Sequence, residues 1–350
     1  MVQTLLRELF ISTDRFNNTE KQSGNININK MKTVIKIILV LVLALGSLST
    51  NAQQAPLYTH YMNNTLVVNP GYAGSRDALT LTALHRSQWV GFTGAPVTQT
   101  VTMHTPLRNE HLGIGLSVLN DKIGPSNNTS VFFDYAYIIK LTEKSKLAFG
   151  LSVGVNIYHA NLSSLQLDVQ IDPAFQNNIN NHVTPNFGFG AYYSRERFYA
   201  GISAPGLLEN SYLENNDNGG KEQRHYFLIA GALFNITDNL DFKPTMLVKE
   251  TSGPPMQADL TASFIIVKRL LVGAMYRTGT NDKNLTGLYT KDSLFGGLVG
   301  FDITDQLHLG YSYDWTIGLQ TNTNNYGSHE IVLRYDVILN KKQIHSPRNF

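Results

Sequence analysis

The stretch Leu147-Ala148-Phe149-Gly150-Leu151-Ser152-Val153-Gly154-Val155-Asn156-Ile157 decides how this chain is read. Every second residue is large and apolar, and the residues between are small or polar. Side chains on a strand point alternately to opposite faces, so one face here is oily and the other small and polar. The repeat recurs. Val131, Phe133, Tyr135, Tyr137, Ile139 and Leu141 alternate with Phe132, Asp134, Ala136, Ile138 and Lys140. Leu307, Leu309, Tyr311, Tyr313 and Trp315 alternate with His308, Gly310, Ser312 and Asp314, and Leu112, Ile114, Leu116 and Val118 with Gly113, Gly115 and Ser117. Strands of about 10 residues with this dyad repeat cross a bilayer at a tilt. Strands of soluble sandwiches usually run about 5 to 6 residues, shorter than several of these.

Working outward, such segments begin near Ala78, Val97, His111, Thr129, Ser145, Pro185, Arg197, Arg224, Leu240, Met256, Leu270, Ser293, Asp305 and Tyr326. The connections sort by parity. After even-numbered segments come short ones: Pro106 to Glu110, Thr142 to Lys144, Ser194 to Glu196, Ile236 to Asn239, Lys268-Arg269 and Thr304. Odd-numbered segments lead into Asn120 to Asn128, His159 to Thr184, Pro205 to Gln223 and Asn281 to Asp292, rich in Asn, Gly, Asp and Pro and mostly long. Short periplasmic turns at one end and longer extracellular loops at the other are the mark of an up-and-down membrane barrel. The predicted fold class is all-β, a transmembrane antiparallel barrel of about 14 strands over residues 78–339. A lumen of that width is either a pore or is occupied by the chain itself. Tyr135, Tyr137, Tyr311, Tyr313 and Trp315 fit an interfacial aromatic girdle or the ordinary preference of strands for aromatics.

Composition agrees. Only 15% of the 350 residues are charged, against roughly 25% in soluble domains. A net charge of +2 gives no clustered basic field, so no nucleic-acid partner is expected. Cysteine is absent, which removes disulfides, thiolate metal sites and cysteine nucleophiles. In Met31 to Gln54, Lys32 and Lys36 precede the apolar run Ile37 to Leu45 and a small-residue stretch ending at Ala52. This order is that of a cleavable signal peptide, residues 31–52, and the run is too short for a spanning helix. Residues 1–30 make no sense as part of it, so translation is expected to start at Met31. Residues 53–77 lack a long regular pattern and are expected to plug the lumen or to hang in the periplasm. Residues 340–350 form a polar periplasmic tail, either a contact segment or a loose end.

No catalytic, cofactor or metal site is expected. Ten histidines are scattered without metal-ligand spacing, and His85 and His104 read as lumen or loop polar residues. Gly188-Phe189-Gly190 and Gly296-Gly297 lie on strands and carry no phosphate-loop pattern. Gly150-Leu151-Ser152-Val153-Gly154 has the G-x-S-x-G spacing but falls inside an alternating strand run, not at the strand-to-helix elbow that nucleophilic catalysis uses. Asp241, Lys243, Asp259, Arg277, Asp314, Glu330, Arg334 and Asp336 fall on polar-face positions, and such charges are expected to pair inside the barrel as a salt-bridged wall.

Several motifs carry a likeness. Tyr58-Thr59-His60-Tyr61-Met62, Asn69-Pro70-Gly71-Tyr72-Ala73-Gly74-Ser75-Arg76-Asp77, Arg86-Ser87-Gln88-Trp89-Val90-Gly91 and Gly94-Ala95-Pro96 form the opening of the mature chain. With Asn120-Asp121-Lys122-Ile123-Gly124-Pro125, Asp134-Tyr135-Ala136-Tyr137, Phe198 to Pro205 and the Ser-Pro-Arg ending, the sequence resembles the PorP/SprF family of type IX secretion system membrane proteins. Gly71 stands where that pattern has Ala. The resemblance implies an outer-membrane accessory of the Bacteroidota secretion and gliding machinery that assists secretion or surface attachment of cargo. Implied partners are outer-membrane lipid, secretion components, the C-terminal sorting domain of cargo and peptidoglycan-linked periplasmic proteins. No catalytic residues come with it. The motif positions it singles out, as structural or partner-binding residues, are Tyr61, Asn69, Pro70, Tyr72, Gly74, Arg86, Gln88, Trp89, Asp121, Gly124 and Pro125. The alternative from the barrel alone is an outer-membrane channel or hydrophobic-solute transporter.

Overall fold

A computed structural model describes residues 56–108, 110–164, 178–212, 220–252, 256–283, 289–317 and 327–337. The expected upstream extension 1–30, leader 31–52 and tail 340–350 lie outside them.

The strands are β1 Leu79–Ser87, β2 Val97–Pro106, β3 Leu112–Ile123, β4 Ser126–Thr142, β5 Ser145–Ala160, β6 Ile179–Arg195, β7 Phe198–Ala204, β8 His225–Ala232, β9 Phe234–Thr237, β10 Leu240–Thr251, β11 Gln257–Ile266, β12 Leu270–Lys283, β13 Tyr289–Asp302, β14 Leu307–Ile317 and β15 Ser328–Val337. All pairings are antiparallel and, apart from β8 and β9, join strands that follow one another in the chain, and β15 pairs with β1 from Leu79↔Val337 to Ser87↔His329. The sheet therefore closes, and no edge N–H or C=O is left facing lipid.

Strands β8 and β9 form a single stave, since both pair with β10. The register Thr245↔Gly231 and Phe242↔Phe234 sets Pro244 opposite Ala232. Proline has no N–H to give the ladder, so pairing lapses there, while on the other side the Leu233 N–H continues the β7–β8 register by donating to Arg197 O at 3.0 Å. The wall thus has fourteen staves, as the sequence predicts.

Alternation sets what each face meets. On β5, Leu151 and Val153 are 56% and 64% exposed while Ser152 is buried. Exposed apolar rows of this kind recur around the wall, and a continuous oily band is stable only against lipid. Tyr135, Tyr137, Tyr311 and Trp315 also point outward. The eight polar-face charges read from the sequence are all buried in the interior.

The structure corrects three expectations. Asn120 to Asn128 is not a long loop: β3 and β4 stay paired through Asp121↔Asn128 and Ile123↔Ser126, leaving only Gly124 and Pro125 to turn, with Gly124 at φ +55°. Asn281 to Asp292 likewise contains the paired ends of β12 and β13, through Lys283↔Tyr289. In both places polar composition imitates a loop, although the ladder needs only backbone groups. His85 faces outward near the rim, bonded to Ser87 Oγ at 3.0 Å, because it shares the parity of Leu81 and Ala83.

Candidate functional site

Residues 56–77 lie inside the wall, bonded to inward side chains of strands on opposite sides. Three short 3-10 turns, Tyr61–Asn63, Thr65–Val67 and Pro70–Tyr72, compact the segment. The last is fixed locally: Pro70 supplies a helical φ at the first position, and Asn69 Oδ1 accepts the Gly71 N–H at 2.8 Å. Tyr58, Tyr61, Leu66, Val68 and Tyr72 then bury their side chains with inward Leu84, Tyr192, Phe227 and Ile229.

The segment runs from the end of the barrel with longer connections, the outer end, to the other. Near the outer end the Thr59 and His60 N–H groups donate to the two Glu330 carboxylate oxygens at 2.9 and 2.6 Å. The Thr59 hydroxyl donates to Asp314 at 2.6 Å. Arg86, fully buried, places Nη1 at 2.7 Å from Asp314, 3.0 Å from Glu330 and 3.0 Å from Thr59 Oγ1. At middle depth the Tyr61 hydroxyl bonds Thr245 at 2.8 Å, and Asn64 bridges Thr100 and Thr102 at 2.7 and 2.9 Å. Asn69 Nδ2 donates to the Ala191 and Ile202 carbonyls at 3.0 and 3.2 Å, and the Ser203 hydroxyl donates to Val68 O at 2.7 Å. At the periplasmic end Arg76 holds Asp336 at 2.9 Å, and Lys146 meets Asp77 at 3.2 Å. A further buried pair, Arg277 with Asp259 at 2.7 Å, stands in the wall beside Tyr58 O.

Of the motif positions, the structure brings Tyr61, Asn69, Pro70, Tyr72 and Gly74 together in this segment, with Arg86 as its main charged anchor on the wall. Tyr72 meets His104 and Tyr192 edge-on at 5.1 and 5.3 Å. Gly74, at φ +72°, passes so close to Gly113 that a Cβ would stand 2.6 Å from its Cα. The other positions sit apart, at the outer rim. Gln88 closes a loop through its N–H to Pro96 O at 2.9 Å, and Trp89 is 47% exposed in left-handed backbone, φ +46°. Asp121 accepts from Thr98 Oγ1 at 2.6 Å, and Gly124 and Pro125 form the hairpin turn. Sequence reasoning did not single out Thr59, His60, Asn64 or Arg76. Their signal was faint: the segment has no period, and its partners lie up to 271 residues away.

Between the segment and the walls of β3 to β8 a cavity of about 360 Å³ extends to the outer rim, from Leu66 and Val68 to Ile123 and Tyr212. Among the described residues no cluster of His, Asp and Glu is arranged to hold a metal ion.

A closed fourteen-stave cylinder with an oily exterior and an occupied, ion-paired interior defines an outer-membrane β-barrel. The chain belongs to the PorP/SprF family of type IX secretion system membrane proteins, whose family model matches residues 50–335. It is therefore an outer-membrane component of type IX secretion. Curated proteins gave no match. Among solved structures the chain is similar to the outer membrane protein Omp33 of Acinetobacter baumannii (10% identity, 75% of this chain and 99% of that one, TM-score 0.41). It is also similar to the CymD monoaromatic hydrocarbon channel (10%, 78% and 91%, TM-score 0.45) and the KdgM porin (9%, 73% and 98%, TM-score 0.33). These likenesses reach no further than barrel architecture.

Proposed function

We propose that this protein is an accessory of the secretion machinery that assists the export or surface attachment of particular cargo proteins by protein contact, without conducting solutes. The observation that carries this reading is the filled lumen: residues 56–77 are bonded to both sides of the wall by buried side chains. A conduit needs a continuous wet path. In this reading residues 31–52 are the export leader of a chain that starts at Met31, and residues 340–350 are a periplasmic contact. The motif residues from Tyr61 to Gly74 with Arg86 hold the interior. Gln88, Trp89, Asp121, Gly124 and Pro125 shape the outer rim where cargo C-terminal sorting domains or secretion partners bind, and peptidoglycan-linked proteins are met on the periplasmic side.

Two measurements test it. Gentle crosslinking of a tagged barrel in its native cell should recover secretion components or cargo, and recovery of the barrel alone counts against the reading. In planar bilayers the purified protein should pass little current. Stable open steps would favour the channel alternative, which the cavity reaching the outer rim supports.

A further inference from the structure

The lipid-facing side of the wall is uneven. Between β4 and β5 its outward pairs are Phe133↔Val153, Tyr135↔Leu151 and Tyr137↔Phe149, all large. Across β8 to β13 the register instead sets Ala232, Pro244, Ala262, Ala274 and Gly297 side by side on neighbouring staves. An added Cβ at Gly297 would meet nothing within 4 Å. Ridges of large side chains flank this row: toward the cell exterior Met246, Leu260, Tyr276 and Phe295, and toward the periplasm Phe242, Phe264, Val272 and Val299. Ring contacts make the ridges continuous, Tyr276 with Phe295 at 5.0 Å and Phe242 with Phe264 at 5.2 Å. Between them lies an apolar groove of about 560 Å³.

The dimensions of the groove select its occupant. Neighbouring strands stand about 4.8 Å apart, so the row is about 19 Å long. One leaflet of hydrocarbon is about 15 Å deep, and a lipid tail that spans it obliquely matches that length. The ridges are about 13 Å apart backbone to backbone, and their side chains narrow the slot below the roughly 10–12 Å of an α-helix. Position narrows the choice further. The row begins at the short periplasmic turn between β6 and β7, where Arg195 pairs in register with Phe198 and Phe198 with Ala232. It ends at Gly297, well inside β13, whose periplasmic end is Asp302. The strands tilt in the bilayer, so the groove rises from headgroup level into the periplasmic leaflet.

Charge marks the low end. Arg195 and Arg197 are both exposed there. Glu196 between them turns to Lys144 at 3.2 Å, and among the described residues no carboxylate pairs with either arginine. A guanidinium grips a phosphate through parallel N–H donors, and the groove beside it covers a tail.

The geometry points to a binding site for one phospholipid of the periplasmic leaflet, an acyl chain lying in the groove and the phosphate held by Arg195 and Arg197. This assignment is independent of the secretion role.

The test uses the full mature barrel, delipidated in a non-ionic detergent and titrated with dipalmitoyl phosphatidylglycerol in native mass spectrometry. The control is dipalmitoylglycerol, which has the same tails without the phosphate. The phospholipid should form a saturable one-to-one adduct, about tenfold or more tighter than the control, the worth of one charge-assisted contact. Ala262→Phe/Ala274→Phe, which fills the groove, should weaken that adduct about tenfold. Arg195→Gln/Arg197→Gln should remove the margin over the control, and Val153→Phe, elsewhere on the lipid face, should change neither. Heat-modified gel mobility reports an intact barrel in each case. If the filled double variant does not fold, each single Phe variant should weaken the adduct by a smaller factor. Equal binding of the two lipids, a graded series of adducts with no first site, an adduct unmoved in folded groove or arginine variants, or a like loss in Val153→Phe overturns the assignment.

Discussion

At Gly113 of β3 and Gly150 of β5 the inner segment lies against bare backbone, whereas on the side of β14, β15 and β1 it is held by charge. At Gly150 an added Cβ would overlap Gly71 N and Pro70 C, and at Gly113 it would overlap Ala73 O. Here the segment and the wall touch main chain to main chain, so the fit is one of shape. Across the lumen the same segment gives its Thr59 and His60 N–H groups to Glu330, whose other partner is Arg86. The difference lies in how each side fails: a shape contact fails by crowding, a charge contact by leaving an ion buried alone.

Changes on the charged side should be the costliest. Glu330→Ala strands Arg86 beside a single carboxylate and frees two segment N–H groups, a loss of about 3–5 kcal/mol, read as a lower midpoint of heat-modified gel mobility. An unchanged midpoint would break the contrast. Next comes a control on the outside of the wall: Val153→Arg sets a charge on the lipid face and should cost about 2–4 kcal/mol if Val153 lies near the bilayer midplane. Its effect should fall on membrane folding yield, with the interior untouched. Gly150→Ala should cost about 1–3 kcal/mol by overpacking. It should also raise the protease sensitivity of residues 56–77, which the Val153 variant leaves alone. Tyr61→Phe removes one buried bond to Thr245, worth about 0.5–1.5 kcal/mol, and a double variant with Thr245→Val should recover part of it. The smallest change is Gly71→Ala. Its Cβ would stand 3.0 Å from Asn69 Oδ1 and 3.2 Å from Tyr192 Cβ, close enough that a shift of a few tenths of an ångström decides the sign, so the melting midpoint should move little.

The wall was legible because its physics is local and periodic. A run such as Leu147 to Ile157 states its own faces, and starts such as Val97, Ser145, Leu240 and Leu270 fall where the strands begin. Boundaries drifted where strands outgrow the membrane: β4 and β6 reach 17 residues, and their polar outer ends no longer carry the oily alternation. Burial of the wall charges was equally readable, since Asp241, Asp259 and Glu330 share parity with small polar neighbours. The arrangement of the interior was not. Nothing in Thr59-His60 announces a carboxylate on the last strand, because that contact depends on closure of the cylinder. Arg86 stood in a motif and also on the inward parity of Thr80, Thr82 and Leu84, and that parity placed it inside. Arg76 precedes the first strand and had no such guide.

One join in the wall differs from all the others. Every other pair of neighbouring staves is linked by a connection in the chain, but β1 and β15 come from its two ends and meet only when the cylinder shuts. The inner segment stitches that join at both ends: Thr59 links Glu330 of β15 with Arg86 of β1, and Arg76, just ahead of β1, clasps Asp336 of β15. Such a contact forms late, after a long loop has been closed. The segment therefore acts as a clasp across the closing join of the cylinder as well as its filling.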